Sequence, residues 1–292
     1  MLTETAHAKV NLALHVRRRR EDGYHDLESL FVFVDTGDTL RARLRSDGAL
    51  TLSIDGPFAA GLDDGPQNLV LRAAACLASS VRPPTSAENV DGARARPGAD
   101  LYLTKNLPVA SGIGGGSADA AAALRLLNRL WGCQLPDSAL CAIAENLGSD
   151  IPACVVSSTL RVEGRGEALE PLDLPGISST AILLVNPGIP LGTAPVFKGW
   201  DRIDRGALDS SSLDAIIRDG RNDLEASARG LVPQIGAVLD RLADIPGVKL
   251  SRMSGSGATC FGLFESMQAC RAAEAVIAAE QPGWWTMSGS LR

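Results

Sequence analysis

Apolar and polar residues alternate along residues 6–16. The small and apolar positions are Ala6, Ala8, Val10, Leu12, Leu14 and Val16, and polar residues such as Lys9 and Asn11 lie between them. A period of two predicts a β-strand with one buried face. Because alternate side chains point to the same side of a strand, we expect Lys9 and Asn11 to project side by side, about 7 Å apart along the strand.

The next segments continue this β-rich beginning. Residues 27–35 and 39–44 are predicted to be strands, separated by a turn at residues 36–38 that contains a glycine. Residues 68–79 have the periodicity of a helix. They are followed by residues 81–100, which are rich in Pro, Ala, Arg and Gly and are predicted to form an exposed loop.

A strand at residues 100–105 and a glycine-rich loop precede three predicted helices. The first has apolar residues at helical spacing up to Trp131, and Gly132 suits its C-terminal cap. The second begins at Asp137 and stops at Gly148. The third begins near Asp150 with Pro152 in its first turn.

The second half of the chain interleaves strands with helices. Strands are predicted at residues 181–185, 248–253 and 260–264, and helices within residues 222–243 and 266–280. This order indicates an α+β fold. A length of 292 residues suits two domains, which we place at residues 1–157 and 158–292.

Composition and charge narrow the class of protein. Apolar residues make up 45% of the chain, which is enough for a full core, and the net charge of -6 offers no general attraction to nucleic acid or anionic lipid. The six cysteines form no CxxC pair, so we expect small buried residues in a reducing compartment. No apolar run reaches the roughly 18 residues of a membrane span, and the basic run at residues 17–20 follows an apolar stretch, unlike a secretion signal. We therefore expect a cytoplasmic protein without nucleic acid or membrane partners.

The most informative segment is the glycine-rich loop at residues 107–117. It carries Gly112, Gly114, Gly115 and Gly116 directly before a helix. Glycines let the backbone approach a ligand and adopt positive φ, and a helix N-terminus offers unpaired amides to an anion. A flexible turn or helix-packing glycines are the alternative, but the position between a strand and a helix favours phosphate binding. The loop is neither a Walker A motif nor a Rossmann fingerprint.

Three motifs in order resemble those of the GHMP kinase superfamily. They are residues 8–12 (AKVNL), the glycine loop with residues 117–121 (SADAA), and residues 253–258 (MSGSGA). The resemblance implies a two-domain GHMP kinase fold, with an N-terminal domain like ribosomal protein S5 domain 2, a ferredoxin-like C-terminal domain and the active site in the cleft. It implies ATP with Mg²⁺ as cofactor, while no metal ligand is indicated. The residues expected at ATP are Asn68, Pro108, Val109, Ala110, Ser111, Gly112, Ile113, Gly114, Gly115, Gly116 and Ser117.

Within the superfamily, four further segments resemble the members that phosphorylate a cytidine diphosphate-linked methylerythritol. They are residues 22–27 (DGYHDL), 68–70 (NLV), 148–152 (GSDIP) and 221–225 (RNDLE). The likeness covers nearly the whole chain. It departs where Ile113 replaces the usual Leu, where Ala118 replaces a second Ser, and in a longer 81–100 loop.

The resemblance also implies the catalytic residues. Asp150 would be the general base for the acceptor hydroxyl, and Lys9 beside it would keep the carboxylate ionised and offset the charge of the transferring phosphoryl group. The alternatives are a helix N-cap for Asp150 and a solvated strand lysine for Lys9.

Substrate contacts are implied in the same way. Tyr24 and His25 resemble the pair that recognises cytosine, with Phe197 on the opposite side of the base. A packed tyrosine and a surface histidine are the alternative. Residues 254–257 would form a second anion-binding turn, for which a plain hairpin turn is the alternative. The substrate set is Asn11, Tyr24, His25, Asp150, Thr193, Phe197, Ser254, Gly255, Ser256 and Gly257.

Two other functions remain open from the sequence. The chain could be another GHMP kinase, acting on homoserine, phosphomevalonate or a sugar, or it could be a nucleotide-binding regulator without catalysis. Lys9 and Asp150 favour a kinase over a regulator. We expect a monomer or a weak homodimer.

Overall fold

A computed structural model describes residues 1–81 and 97–292. These residues form two compact units. Unit 1 contains Met1–His7, Gly37–Leu107 and Gly115–Val156, and unit 2 contains Ala8–Thr36, Pro108–Gly114 and Ser157–Arg292. The units are therefore discontinuous in sequence, unlike the consecutive domains 1–157 and 158–292, and that assignment stays a prediction.

The elements follow one another in a mixed order of strands and helices. The first eight are β1 (Leu2–Arg19), β2 (His25–Arg45), β3 (Leu50–Asp55), α1 (Leu69–Ser80), β4 (Gly98–Thr104), α2 (Gly115–Leu130), α3 (Asp137–Ala144) and α4 (Ile151–Val156). The others are β5 (Leu160–Gly164), β6 (Ala168–Pro171), β7 (Ala181–Asn186), α5 (Thr193–Lys198), α6 (Leu213–Asp219), α7 (Glu225–Leu231), α8 (Gln234–Ala243), β8 (Val248–Met253), β9 (Cys260–Phe264), α9 (Met267–Glu280) and β10 (Trp285–Ser290).

Unit 1 packs helices against a small sheet. The later part of β2 pairs antiparallel with β4, and β3 pairs parallel with β4. Helix α2 packs against α1 and α4, and its alanine-rich middle is completely buried. Small side chains let these helices approach closely, so α2 is held in a densely packed layer of helices.

Unit 2 contains a four-stranded antiparallel sheet in the order β10-β7-β9-β8. Helix α8 precedes β8 in the chain, and α9 connects β9 to β10. This split arrangement confirms the predicted ferredoxin-like topology. The early part of β2 pairs with β5, and β5 pairs with β6. The hydrophobic core of the unit joins α8 and α9 to the sheet through residues such as Ile235, Leu242 and Ile277.

Two predictions about the first strands are wrong. Strand β1 is buried on both faces over residues 8–16, because its polar side chains are satisfied by hydrogen bonds instead of water. Strand β2 runs unbroken through the predicted turn at residues 36–38. A Cβ atom at Gly37 would lie 2.0 Å from the carbonyl oxygen of Ala6, so this glycine permits close strand packing and does not make a turn.

Other boundaries also differ from the sequence analysis. The predicted helical stretch 222–243 is two helices, α7 and α8, because Pro233 interrupts the helical hydrogen bonding between them. Strand β4 begins at Gly98, inside the predicted 81–100 loop, and the rest of that loop from residue 82 to 96 lies outside the described residues. All six cysteines are free thiols; three are buried and three partly buried. Within the two described ranges, no helix combines the length and apolar character needed to span a bilayer.

Candidate active site

The glycine loop lies against strand β1 in unit 2. The backbone N–H of Lys9 donates to the carbonyl of Ile113 at 3.1 Å. Gly114 adopts φ +66°, and a Cβ atom there would lie 3.2 Å from Cε of Lys9. The aliphatic part of the Lys9 side chain therefore occupies the space that a larger residue at position 114 would fill. The structure brings the predicted lysine onto the predicted phosphate loop.

Lys9 belongs to a buried chain of polar side chains. Its Nζ donates to Oδ1 of Asn11 at 3.0 Å, and Nδ2 of Asn11 donates to Oγ of Ser29 at 2.8 Å. Ser29 in turn donates to the carbonyl of Ala13 at 2.6 Å. The ammonium also lies 4.3 Å from the ring centre of Phe31. Lys9 is 5% exposed, so this is not a solvated strand lysine, and the predicted pairing with Asn11 is confirmed by geometry.

The turn at residues 254–257 interlocks with the glycine loop. Oγ of Ser254 accepts from the backbone N–H of Asn11 at 3.1 Å and donates to the carbonyl of Gly112 at 3.0 Å. The N–H of Thr259 donates to the carbonyl of Ser111 at 3.1 Å. Because the turn joins the paired strands β8 and β9, it is a hairpin turn as well as a partner of the loop. Two of the predicted anion-binding segments are thus in direct contact.

An aromatic cluster of His25, Phe197 and Trp200 is linked to the turn at residues 254–257. Oγ of Ser256 and Oγ1 of Thr193 are 3.1 Å apart, and Thr193 begins α5, which also carries Phe197. The rings of His25 and Phe197 are 5.0 Å apart at 38°, and the ring of Trp200 meets His25 edge-on at 5.6 Å. Burial, with a smaller effect from Arg19, lowers the pKa of His25 below its ordinary value of 6.5.

Tyr24, which precedes His25 in the chain, is exposed. Its side chain is 60% exposed, and the guanidinium of Arg165 lies 5.2 Å from its ring centre. The predicted cytosine contact of Tyr24 and His25 stays a prediction.

Asn222 is a supporting residue that the sequence analysis quoted only as part of a motif. Its Nδ2 donates to the carbonyls of Met253 and Gly255, at 2.8 Å each. The next residue, Asp223, accepts from the backbone N–H of Val16 at 2.8 Å. The segment 221–225 therefore fastens the hairpin turn and β1 together within unit 2. The motif at residues 221–225 could have pointed to Asn222 as a functional residue. No local sequence pattern predicts its distant hydrogen-bond partners.

The remaining candidates lie in unit 1. Asp150 directly precedes α4, is partly exposed, and its carbonyl accepts from the N–H of Cys154 at 3.1 Å. Gly115, Gly116 and Ser117 form the first turn of α2. Asn68 caps α1: its Oδ1 accepts from the N–H of Val70 at 2.9 Å and its Nδ2 donates to the carbonyl of Asp63 at 2.6 Å. The prediction that Asn68 contacts ATP stays a prediction, since its side chain already caps α1.

A preformed metal site is not evident. Among the residues that the structure describes, no group of three or more His, Cys, Asp or Glu side chains is placed to hold an ion.

Similarity to known proteins agrees with this geometry. Residues 68–158 match the GHMP kinases N terminal domain, and residues 205–283 match the GHMP kinases C terminal family. The chain is 49% identical to the 4-diphosphocytidyl-2-C-methyl-D-erythritol kinase of Rhizorhabdus wittichii, over 99% of this chain and 94% of that one. It is 48% identical to the protein of the same name from Sphingopyxis alaskensis, over 100% and 99% of the two chains.

Solved structures extend the comparison. A crystal structure of 4-(cytidine 5'-diphospho)-2C-methyl-D-erythritol kinase superposes with a TM-score of 0.78 at 32% identity, covering 99% of each chain. Homoserine kinase from Cytophaga hutchinsonii superposes at 0.70 but is 18% identical, over 98% of this chain and 95% of that one, and so shows the fold alone. With relatives nearly half identical over essentially its whole length, the chain belongs to the GHMP kinases, in the family of 4-diphosphocytidyl-2-C-methyl-D-erythritol kinases.

Proposed function

We propose that this protein transfers the γ-phosphoryl group of ATP to the tertiary hydroxyl of 4-diphosphocytidyl-2-C-methyl-D-erythritol. One observation carries the proposal: contacts in unit 2 join the glycine loop to Lys9, Asn11 and Ser254. The turn that contains Ser254 also contacts α5, and Phe197 of α5 packs on His25. A phosphate-binding segment and a base-binding segment are thus held in one framework. The names of the relatives support the same substrate.

The glycine loop is the segment that we assign to the ATP triphosphate. Gly112 and Gly114 adopt φ of +78° and +66°. Turns with residues in this region can direct successive backbone amides at one anion. Helix α2 begins at Gly115 and contributes its unpaired N-terminal N–H groups. We assign Mg²⁺ to the phosphate oxygens of the nucleotide, where it neutralises charge on the transferring group, and we assign no protein side chain to it.

Asp150 and Lys9 carry the chemistry in this proposal. Asp150 accepts the proton of the acceptor hydroxyl as its oxygen attacks the γ-phosphorus, and ADP leaves with the bridging oxygen. Lys9 offsets the negative charge on the phosphoryl group during transfer. Its burial makes that charge count for more than it would in water. Asn11 holds the ammonium in place through the 3.0 Å hydrogen bond.

Recognition of cytosine is assigned to His25 and Tyr24. With its pKa lowered by burial, His25 is neutral at pH 7 and has one donor and one acceptor nitrogen. The acceptor nitrogen suits the exocyclic amino group of cytosine. The exposed ring of Tyr24 supplies a stacking face, and Phe197 supports the imidazole from α5.

The net charge of the protein bears on whether its substrate is a small molecule or a nucleic acid. A net charge of -6 supports a small-molecule acceptor over a nucleic acid, and a cytoplasmic monomer or weak homodimer is part of the proposal.

An acceptor panel tests the proposal. ADP release is measured with 4-diphosphocytidyl-2-C-methyl-D-erythritol, homoserine, phosphomevalonate and galactose under the same conditions. The expected result is turnover with the cytidine-linked acceptor and at most traces with the others. Turnover with a different acceptor would replace the substrate, and nucleotide binding without turnover on any acceptor would leave a regulator in its place.

A further inference from the structure

Unit 1 contains a buried ionic cluster that the proposed chemistry does not use. Lys105 follows β4, Asp38 lies on β2, and Asp119 lies in α2. Nζ of Lys105 donates to Oδ2 of Asp119 at 2.6 Å and also to Oδ2 of Asp38. All three residues are at most 4% exposed. Burying three charged groups together is costly, so a stabilising role alone is a weak explanation for the cluster.

The cluster touches the two points where the glycine loop leaves and re-enters unit 1. Oδ1 of Asp38 accepts from the backbone N–H of Asn106 at 2.5 Å and from that of Leu107 at 2.8 Å. At the other end, a Cβ atom on Gly115 would lie 3.1 Å from Nζ of Lys105 and 3.9 Å from Oδ2 of Asp38. Asp38 therefore holds residue 107, and Asp38 and Lys105 lie against residue 115. Asp119 acts on both ends of the loop through its hydrogen bond with Lys105.

The two carboxylates of the cluster are not equally satisfied. Oδ1 of Asp119 is buried and has no hydrogen-bond partner among the described residues. Such an oxygen is poorly suited to carry negative charge. Burial raises the pKa of Asp119 to about 7, against the attraction of Lys105. Burial would lower the pKa of Lys105, but the attraction of Asp119 and Asp38 outweighs it, so that pKa is raised.

Among the described residues, Lys105 and Asp38 are the charged groups that act on Asp119. Helix α4 carries no charged residue, and the charged residues of the neighbouring helices α1 and α3, Arg72 and Asp137, are exposed. Lys105 and Asp38 therefore set the environment of Asp119. As the pH rises through 7, Asp119 loses its proton while Lys105 keeps its own, and the cluster changes from neutral to a net charge of -1.

We propose that Asp38, Lys105 and Asp119 position both ends of the glycine loop, and that the charge on Asp119 sets how tightly the loop holds the ATP triphosphate. Asp119 is the fifth residue of α2, so it lies about one turn from the helix N-terminus. A negative charge there opposes the attraction of that N-terminus for phosphate. The inference rests on the proposed function only in assigning ATP to the loop.

The test compares Asp119→Asn with the wild type and with Asp137→Asn, which removes an equal charge from an exposed position. Binding of a non-hydrolysable ATP analogue with Mg²⁺ is measured by calorimetry from pH 6.0 to 8.5. We expect Asp119→Asn to match the wild type within about 2-fold at pH 6.0 and to bind about 3- to 10-fold more tightly at pH 8.5. Because titration of the nucleotide is common to all three proteins, their ratios isolate Asp119. Asp137→Asn should follow the wild type throughout.

Positioning is tested separately by Asp38→Ala, which removes the acceptor for two loop N–H groups. We expect about 10-fold weaker analogue binding at every pH, and unchanged affinity in a folded Asp38→Ala protein would overturn the positioning role. A constant ratio between Asp119→Asn and wild type across the pH range would overturn the charge role. If Asn is not tolerated at position 119, Asp119→Ser removes the same charge and gives the same comparison. Absence of analogue binding by the wild type would overturn the assignment of ATP to the loop, and the inference with it.

Discussion

The contact between the glycine loop and the hairpin turn makes Gly112→Ala an informative change. Gly112 has φ +78°, and an added Cβ atom would lie 2.5 Å from the carbonyl oxygen of Ser254 and 2.8 Å from that of Gly257. Both neighbours are backbone atoms, so neither can turn aside, and the two segments must separate by roughly 1 Å. Gly61 is a matched control, because its φ is +79° and nothing lies within 4 Å of the corresponding Cβ position.

Comparing Gly61→Ala with Gly112→Ala distinguishes the cost of backbone strain from the cost of the steric clash with residues 254 and 257. Gly61→Ala should cost about 1 kcal/mol, the strain of a left-handed alanine. Gly112→Ala carries the same strain and adds about 1–3 kcal/mol for overpacking. A displacement of about 1 Å in a phosphate loop should also lower turnover by roughly 100-fold. Thermal unfolding and ADP release at a temperature where both variants are folded measure the two effects. Equal destabilisation and equal turnover in both variants would refute the proposed packing of loop against turn.

Three further changes test individual side chains. Asp150→Asn should retain binding of the ATP analogue and lose roughly 100- to 10,000-fold in turnover, so near-normal turnover would remove the base from the mechanism. His25→Ala should raise the KM for the cytidine acceptor and leave the KM for ATP unchanged. In the wild type, the KM for the acceptor should rise only below pH 6.5, the ordinary pKa of an imidazole. The reason is that the pKa of His25 is lowered and that protonation removes its acceptor nitrogen. Asn222→Asp replaces the donor Nδ2 by an oxygen opposite the carbonyls of Met253 and Gly255, each 2.8 Å away. The variant should lose about 3 kcal/mol of unfolding free energy, measured with denaturant. An unfolding midpoint equal to that of the wild type would contradict these hydrogen bonds.

Local patterns predicted the parts of the site that depend on neighbours in sequence. The period of two in β1 was sufficient to pair Lys9 with Asn11, which are two residues apart and share a 3.0 Å hydrogen bond. Strands β8 and β9 also agree with the predicted residues 248–253 and 260–264. Strand β9 is a short apolar run, and β8 begins with alternating apolar and polar residues after Gly247. Such features are decided by the chain within a few residues of each position.

Contacts between distant segments could not be predicted in the same way. Ser254 reaches Gly112 across 142 residues and Asn11 across 243 residues, and nothing in the local sequence of a serine specifies such partners. Gly37 was interpreted as a turn residue because the chain near it does not reveal that Ala6 packs against it. The ionic cluster was missed for a similar reason: Asp38 and Lys105 are 67 residues apart. Long-range packing overrode the local preference in each case.

Phosphorus NMR of the reaction mixture identifies the group that receives the phosphoryl. Purified protein is incubated with Mg²⁺, ATP and 4-diphosphocytidyl-2-C-methyl-D-erythritol until ADP release stops. Phosphoryl transfer to the tertiary hydroxyl predicts one new phosphomonoester signal on the methylerythritol moiety for each ADP formed, with the diphosphate bridge intact. Release of inorganic phosphate without a new ester, or an ester on the ribose in place of the tertiary hydroxyl, would contradict it.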